Sequence, residues 1–376
     1  MADTITYLTT TRFGSGAVEL LPQELAELGI RKPLLVTDPG LAALPLFGRV
    51  RGLLPAEHAV FAETPANPTE AAVDQAFDAY RHAVCDGLVA LGGGSAMDLA
   101  KAVALRATHA GVLAEYALIE GGAGRIGPVS PLIAVPTTSG TGSEVGRGAL
   151  ITLRDGRKLA LISQHLIPAR AVCDPELTLG LPPLLTAATG MDALTHCIET
   201  FLSPRYNPPA DAIALDGAAR VMRFLPRAVA EGGDREARSE MMMAALQGGL
   251  TFQKGLGAVH GLSHALGAIK DPVLHHGTLN AVILPAVLRF NAPSVGDKYA
   301  RLAAAMGLAD GADLAAAIEA LNLRLGLPDS LRAMGVTEAH RERAVAGALA
   351  DHSTASNARP VGRAEYEALF DAALGL

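Results

Sequence analysis

The strongest constraint on the fold of this chain is a device repeated in its first half: a short apolar run ending in a turn of glycines or hydroxyls. Leu88-Val89-Ala90-Leu91 leads into Gly92-Gly93-Gly94-Ser95-Ala96-Met97-Asp98-Leu99-Ala100-Lys101, and Leu132-Ile133-Ala134-Val135 leads into Pro136-Thr137-Thr138-Ser139-Gly140-Thr141-Gly142-Ser143. Runs of this kind, without polar alternation, suit strands buried on both faces. Pro33-Leu34-Leu35-Val36-Thr37 has the same character, and an amphipathic stretch from Glu70 to Arg81 lies before the next run. Strand, helix, strand at this spacing predicts an α/β fold with a parallel sheet, helices on both faces and ligands bound beyond the carboxyl ends of the strands.

After Leu181-Pro182-Pro183 the pattern changes. Long Ala/Leu/Met-rich segments of helical period, such as Ala210 to Phe224 and Arg238 to Gln247, replace the β-branched runs. Asn207-Pro208-Pro209 is the entry turn of the first, since proline is tolerated where a helix begins. The Ala-rich stretch around Ala312 to Ala320 is expected to be helix rather than linker, and no internal repeat is evident. The expectation is therefore an α/β nucleotide-binding domain over 1–183, an all-helical domain over 184–376, and a ligand cleft between them.

Composition bounds the function. With 31 Lys and Arg against 38 Asp and Glu, the net charge of −7 leaves no basic surplus for a phosphate backbone, so nucleic acid is not an expected partner. Cys85, Cys173 and Cys197 form no CxxC pair, which argues against a disulfide framework or a sulfur-rich zinc site. Met1-Ala2-Asp3-Thr4 opens without a basic and apolar leader, and no run approaches the ~18 apolar residues of a membrane span. A soluble, cytoplasmic protein with no membrane partner is expected.

The two turns carry the first chemistry. Gly92 to Gly94 allow close approach of backbone N–H groups to an anion, and the helix that follows puts partial positive charge there, so a pyrophosphate fits. Asp98 reads either as part of that loop or as a first-turn carboxylate answering the helix dipole. The hydroxyls of Thr137, Thr138, Thr141 and Ser143 suit a phosphate, ribose or carboxamide. Asp38, closing the Leu34 to Thr37 run, would accept from a ribose 2′-hydroxyl and repel a 2′-phosphate, which favours NAD over NADP, although Asp-Pro-Gly is also an ordinary turn.

The second chemistry lies in the histidines. His260, His264, His275 and His276 fall close together, and Asp192 and His196 stand at i and i+4 in a helical stretch, on one helix face. Asp with two or three His is an N/O set for a catalytic divalent metal, and Fe2+ and Zn2+ both fit.

These residues together resemble the iron-containing alcohol dehydrogenases along nearly the whole chain. The matching blocks are Asn67-Pro68-Thr69, Gly92 to Lys101, Pro136 to Val145, Asp174-Pro175, Gly190-Met191-Asp192-Ala193 with His196 and Glu199, Gly255 to Gly261 with His264, and His276-Gly277. The resemblance implies a Rossmann-like first domain and a helical second domain, the arrangement also found in dehydroquinate synthase, with dimers or larger homo-oligomers. It implies Asp192, His196, His260 and His276 as metal ligands, with His276 favoured over His275 because it precedes Gly277. His264 would be the catalytic histidine beside the nicotinamide. Cofactor positions would be Asp38, Asn67, Gly93, Gly94, Ser95, Asp98, Thr137, Thr138, Thr141, Ser143 and Lys158.

Within the family, Ile119-Glu120-Gly121-Gly122, Glu144 to Ala149, Asn207 to Asp211, Phe252 to Gly257 and His275 to Val282 are most similar to the 4-hydroxybutyrate dehydrogenases. That implies interconversion of a short ω-hydroxy acid and its aldehyde, and a cation for the substrate carboxylate. Arg147 and Lys254 are the candidates, with Phe252 beside the latter. Near the C-terminus, His352 and Ser356-Asn357-Ala358-Arg359-Pro360 resemble a family segment that usually reads Asn-Pro-Arg, from which Ala358 departs. The competing expectations are neutral primary alcohols or another acidic aldehyde, such as maleylacetate or a phosphono- or sulfo-aldehyde. A carbocycle-forming lyase and a non-catalytic binding protein are further alternatives.

Overall fold

The computed structural model describes residue 7 and residues 9–376, so the reading of Met1-Ala2-Asp3-Thr4 falls outside the described residues. Two compact units are present, one of Tyr7–Thr138 with Gly142–Thr178, the other of Ser139–Thr141 with Leu179–Leu376. In the first, β1 (Thr10–Phe13), β2 (Pro33–Val36), β3 (Ala59–Phe61), β4 (Gly87–Gly92) and β5 (Leu132–Pro136) are followed by an antiparallel hairpin, β6 (Gly148–Thr152) and β7 (Lys158–Ile162), and then by β8 (Arg170–Cys173). Six strands form one parallel sheet in the order β1-β8-β5-β4-β2-β3.

Leaving β2 the chain steps outward to β3, whereas leaving β4 it steps the other way to β5. The connections therefore diverge between β2 and β4, where an open parallel sheet forms its ligand crevice. Registers of Val36 with Ala90 and of Gly92 with Pro136 bring the carboxyl ends of β2, β4 and β5 side by side.

The apolar runs lack alternation because both faces are covered. Leu34, Val36, Leu88, Ala90 and Ala134 enter one core, while Leu35, Val89, Leu91, Ile133 and Val135 enter the opposite one. Helices α1 (Leu21–Glu27), α2 (Pro39–Ala42), α3 (Pro45–Arg51), α4 (Glu70–His82) and α5 (Gly94–Arg106) belong to this unit. α4 starts where Thr69 accepts the Ala72 N–H, and it buries Val73 and Ala76.

The second unit is helical: α6 (Pro183–Leu202), α7 (Pro208–Ala230), α8 (Arg235–Leu250), α9 (Ala258–Gly267), α10 (His276–Asn291), α11 (Lys298–Ala305), α12 (Leu314–Arg324), α13 (Arg341–Ala350) and α14 (Arg363–Leu374). Asn207 caps α7 by accepting the Ala210 N–H, with proline opening the helix. α6 is buried from Thr186 to Leu202, as expected of a helix surrounded by others. Its buried Asp192, His196 and Glu199 must therefore find partners, since an unpaired polar group inside a core is costly. Among the described residues no helix is long and apolar enough to cross a membrane.

Candidate active site

The buried polar residues of α6 meet histidines from two other helices. Nε2 of His196, His260 and His276 lies 3.5, 3.7 and 3.5 Å from Asp192 Oδ1. A tetrahedral ion with bonds of ~2.1 Å has donor atoms ~3.4 Å apart, close to these three distances from Asp192, and the ligand atoms of Asp192, His196 and His260 lie within 4.8 Å of one another. The close approach of α10 to α6 requires Gly277, where a Cβ would lie 2.2 Å from the Ala188 carbonyl oxygen. His196 and His260 stack with ring centroids 4.7 Å apart, and the edge of Phe252 meets His196 at 4.7 Å.

Electrostatics give the same account. Burial alone would raise the Asp192 carboxyl, but His196, His276 and His260 hold it well below the usual carboxylate range. Burial pushes His196 down to about 4. For His260 burial is outweighed by the Glu199 and Asp192 carboxylates, which push it up to about 9. A dry cluster with two carboxylates thus attracts positive charge, which a metal ion supplies.

Glu199 orients one ligand. Its Oε1 accepts the Val259 N–H at 2.7 Å, and its Oε2 lies 2.6 Å from His260 Nδ1. A ring hydrogen therefore sits on Nδ1, which leaves Nε2, the atom facing Asp192, to give up its proton and bind when an ion enters. Glu199 stands three residues after His196 and seven after Asp192, so helical periodicity was enough to place it on their face. Asn280, one turn after His276, donates from Nδ2 to Asp192 Oδ1 at 2.7 Å. Sequence spacing had no means of finding Asp351, which comes from the segment after α13: its Oδ2 lies 2.9 Å from His264 Nδ1, and its Oδ1 lies 3.5 Å from His352 Nδ1. Burial opposes ionisation of Asp351, but His264 and His352 hold its carboxyl below the usual range. The His264 ring stacks on His276, centroids 5.3 Å apart, which places it against the ligand cluster.

In the sheet unit, the glycine turn lies at the carboxyl end of β4. Gly92 has φ +152°, and a Cβ on it would stand 2.9 Å from the Ala96 Cβ and 3.8 Å from Asp38 Oδ2. Asp38 itself caps α2, accepting the Leu41 N–H at 2.9 Å through Oδ1. A Cβ on Gly93 would lie 3.3 Å from Thr138 Oγ1, and the Thr137 N–H donates to the Gly92 carbonyl at 3.0 Å. Lys158 Nζ donates to Asn67 Oδ1 at 3.0 Å, and Ser95 Oγ donates to the neighbouring Ala66 carbonyl. Asp38, Gly93, Gly94 and Thr138 thus gather at one edge, with Asn67, Ser95 and Lys158 drawn together nearby in sequence. Thr141 falls in the helical unit, whose Gly140 would place a Cβ 2.8 Å from the Thr189 Cβ.

Three of the expected residues, Asp98, Ser143 and Lys254, have partners within the fold. Asp98 accepts from Ser143 Oγ at 2.8 Å and from the Leu150 N–H at 3.0 Å. Ser143 in turn takes the buried Lys101 ammonium, 2.8 Å from its Oγ. These two side chains hold the hydroxyl loop and β6 onto α5. Lys254 is not a free cation: it is buried, paired with Asp211 Oδ1, and donates to the Phe201 carbonyl at 3.3 Å. Arg147 is half-buried in the sheet unit, just before β6.

Comparison with known proteins agrees with this chemistry. The profile described as iron-containing alcohol dehydrogenase matches residues 9–175, and the C-terminal profile of that family matches residues 186–374. A 4-hydroxybutyrate dehydrogenase from Cupriavidus necator is 57% identical, the match covering 98% of each chain. A 1,3-propanediol oxidoreductase structure superposes with a TM-score of 0.91 at 35% identity, covering 99% of this chain and 100% of the other. The sulfoacetaldehyde reductase of Bifidobacterium kashiwanohense, solved in complex with NAD+, superposes with a TM-score of 0.89 at 30% identity, covering 100% of this chain and 99% of that one. With both profiles matched and an Asp/His cluster suited to a divalent ion, the chain belongs to the iron-containing alcohol dehydrogenases.

Proposed function

We propose that this enzyme is an NAD-linked, metal-dependent dehydrogenase interconverting 4-hydroxybutyrate and succinate semialdehyde. The substrate rests on one observation, the 57% identity to a 4-hydroxybutyrate dehydrogenase over 98% of both chains. Asp192, His196, His260 and His276 would hold the divalent ion, Fe2+ or alternatively Zn2+. When bound, the ion stabilises negative charge on the substrate oxygen and NAD exchanges the carbinol hydride.

The remaining work falls to side chains of this protein. His264, oriented by Asp351, takes the hydroxyl proton in oxidation and returns it in reduction. The backbone at Gly93 and Gly94 and the start of α5 take the cofactor pyrophosphate. Asp38 accepts from the ribose and disfavours a 2′-phosphate. Asn67, Ser95, Lys158, Thr137, Thr138 and Thr141 surround the rest of the nucleotide, while Asp98 and Ser143 shape the loop. Phe252 forms an apolar wall beside His196. With Lys254 neutralised by Asp211, Arg147 is the cation assigned to the substrate carboxylate. The enzyme is read as a cytoplasmic homodimer or larger homo-oligomer.

The test is NADH oxidation by the metal-loaded enzyme with succinate semialdehyde, run beside butanal. A preference of a hundredfold in kcat/KM, about 2.7 kcal/mol at ~1.4 kcal/mol per decade, supports carboxylate recognition. Arg147→Gln should then abolish the preference while leaving butanal turnover in place. Equal rates would overturn the substrate and favour a neutral alcohol, the reading consistent with a neutralised Lys254 and with the likeness to 1,3-propanediol oxidoreductase.

A further inference from the structure

Asn280 is fully buried on α10, one turn beyond His276. Its Nδ2 donates to Asp192 Oδ1 at 2.7 Å and also lies 3.2 Å from Nε2 of both His260 and His276. One NH2 group thus faces donor atoms of three proposed ligands. The opposite amide orientation would set two oxygens against each other at that distance from Asp192, so the carboxylate fixes which end points inward.

The other end of the side chain shows that packing alone does not account for this residue. Asn280 Oδ1 is buried and without a hydrogen-bond partner. Leucine would fill a similar volume with no such cost, so an asparagine here is explained by what its nitrogen does. Glu199 orients an imidazole from behind, whereas Asn280 acts on the carboxylate from the side where the ligand atoms meet.

We infer that Asn280 is a positioning residue of the metal centre, whose N–H fixes the rotation of Asp192 and limits which of its lone pairs can reach an ion. This rests on the metal-centre reading of the same cluster. Removing the N–H frees the carboxylate to turn, which alters both the ligand field and the rate at which an ion is lost. Loss of such an outer partner typically weakens metal affinity ~10–100-fold.

The experiment uses Co2+ as the probe in the full-length protein, reading its visible d–d absorption and the rate of its transfer to excess EDTA. Asn280→Leu keeps the volume and removes the donor; Asn280→Ala removes the donor without adding bulk. Both should shift the Co2+ bands and release the ion ~10–100-fold faster than the parent. If Asn280→Leu does not fold, Asn280→Ala is read by the same criteria. Parental bands and parental release in a folded variant would overturn the role of Asn280 and leave the metal centre standing. Failure of the parent protein to bind Co2+ at one equivalent would instead overturn the metal centre itself.

Discussion

Glu199→Gln separates the two hydrogen bonds that Glu199 makes. The glutamine carbonyl can still accept the Val259 N–H, now held at 2.7 Å, so the start of α9 keeps its anchor. Across from His260 Nδ1, now 2.6 Å away, the new NH2 group is a donor. His260 must then accept through Nδ1 and carry its hydrogen on Nε2, facing Asp192 and displacing the lone pair that would bind an ion. The wrong tautomer, together with loss of the carboxylate charge, should cost 10–100-fold in metal affinity, roughly 1.4–2.7 kcal/mol. Competition with a chelating indicator measures that affinity, and thermal unfolding in the presence of EDTA measures the fold separately. A folded Glu199→Gln protein that binds the ion as tightly as the parent would show that Nε2 of His260 is not held by this hydrogen bond.

Three further outcomes follow from other contacts. Gly277→Ala would drive a Cβ to 2.2 Å from the Ala188 carbonyl, and backbone cannot rotate away, so α6 and α10 must separate. About 3 kcal/mol of lost stability and weaker Co2+ binding are expected, measured by thermal unfolding and titration. Asp351→Asn should lower kcat by about 10²-fold with metal content unchanged by elemental analysis, because the Ser353 N–H holds the amide oxygen and the new NH2 faces His264 Nδ1, where it no longer accepts. Burial pushes the Glu144 carboxyl up from 4.5 to about 7, against the attraction of Lys101. Between those values the folded chain holds a proton the unfolded chain has lost, so this group makes stability fall as pH rises through that window. Glu144→Gln cannot titrate, and it should gain on the parent from pH 5 to pH 8 by at most roughly 3 kcal/mol, with parallel denaturation curves at the two pH values refuting the assignment.

The legible part of this chain was the part with a period. Buried strands followed by glycine turns predicted the sheet and the edge where Asp38 stands near Gly92, because a parallel strand covered on both faces has little option but to be apolar throughout. Asp192 and His196 were legible for a related reason, being one turn apart on a helix. The edge strands β1 and β3 and the neighbouring β8 have three or four residues each and, unlike the equally short β2, carry no run of four apolar residues to mark them.

What stayed hidden was which charges were already committed. Asp98 and Lys254 each stood beside a block of functional residues, and in sequence a carboxylate or ammonium there looks available for a ligand. The structure gives both of them partners within the fold: Asp98 the Ser143 hydroxyl and the Leu150 amide, Lys254 the Asp211 carboxylate. Lys254 in particular closes the short turn that carries Phe252, its own carbonyl accepting from Ser203 Oγ at 2.6 Å. A buried ammonium paired with a carboxylate is costly to unpair, so substrate charge would have to compete with Asp211 for it. Proximity in sequence to a site therefore says little about a charged side chain until its burial is known. Lys254 and Asp98 hold the fold around the site, whereas Asp192, as buried as Lys254, stands among histidines with no lysine or arginine of the described residues against it.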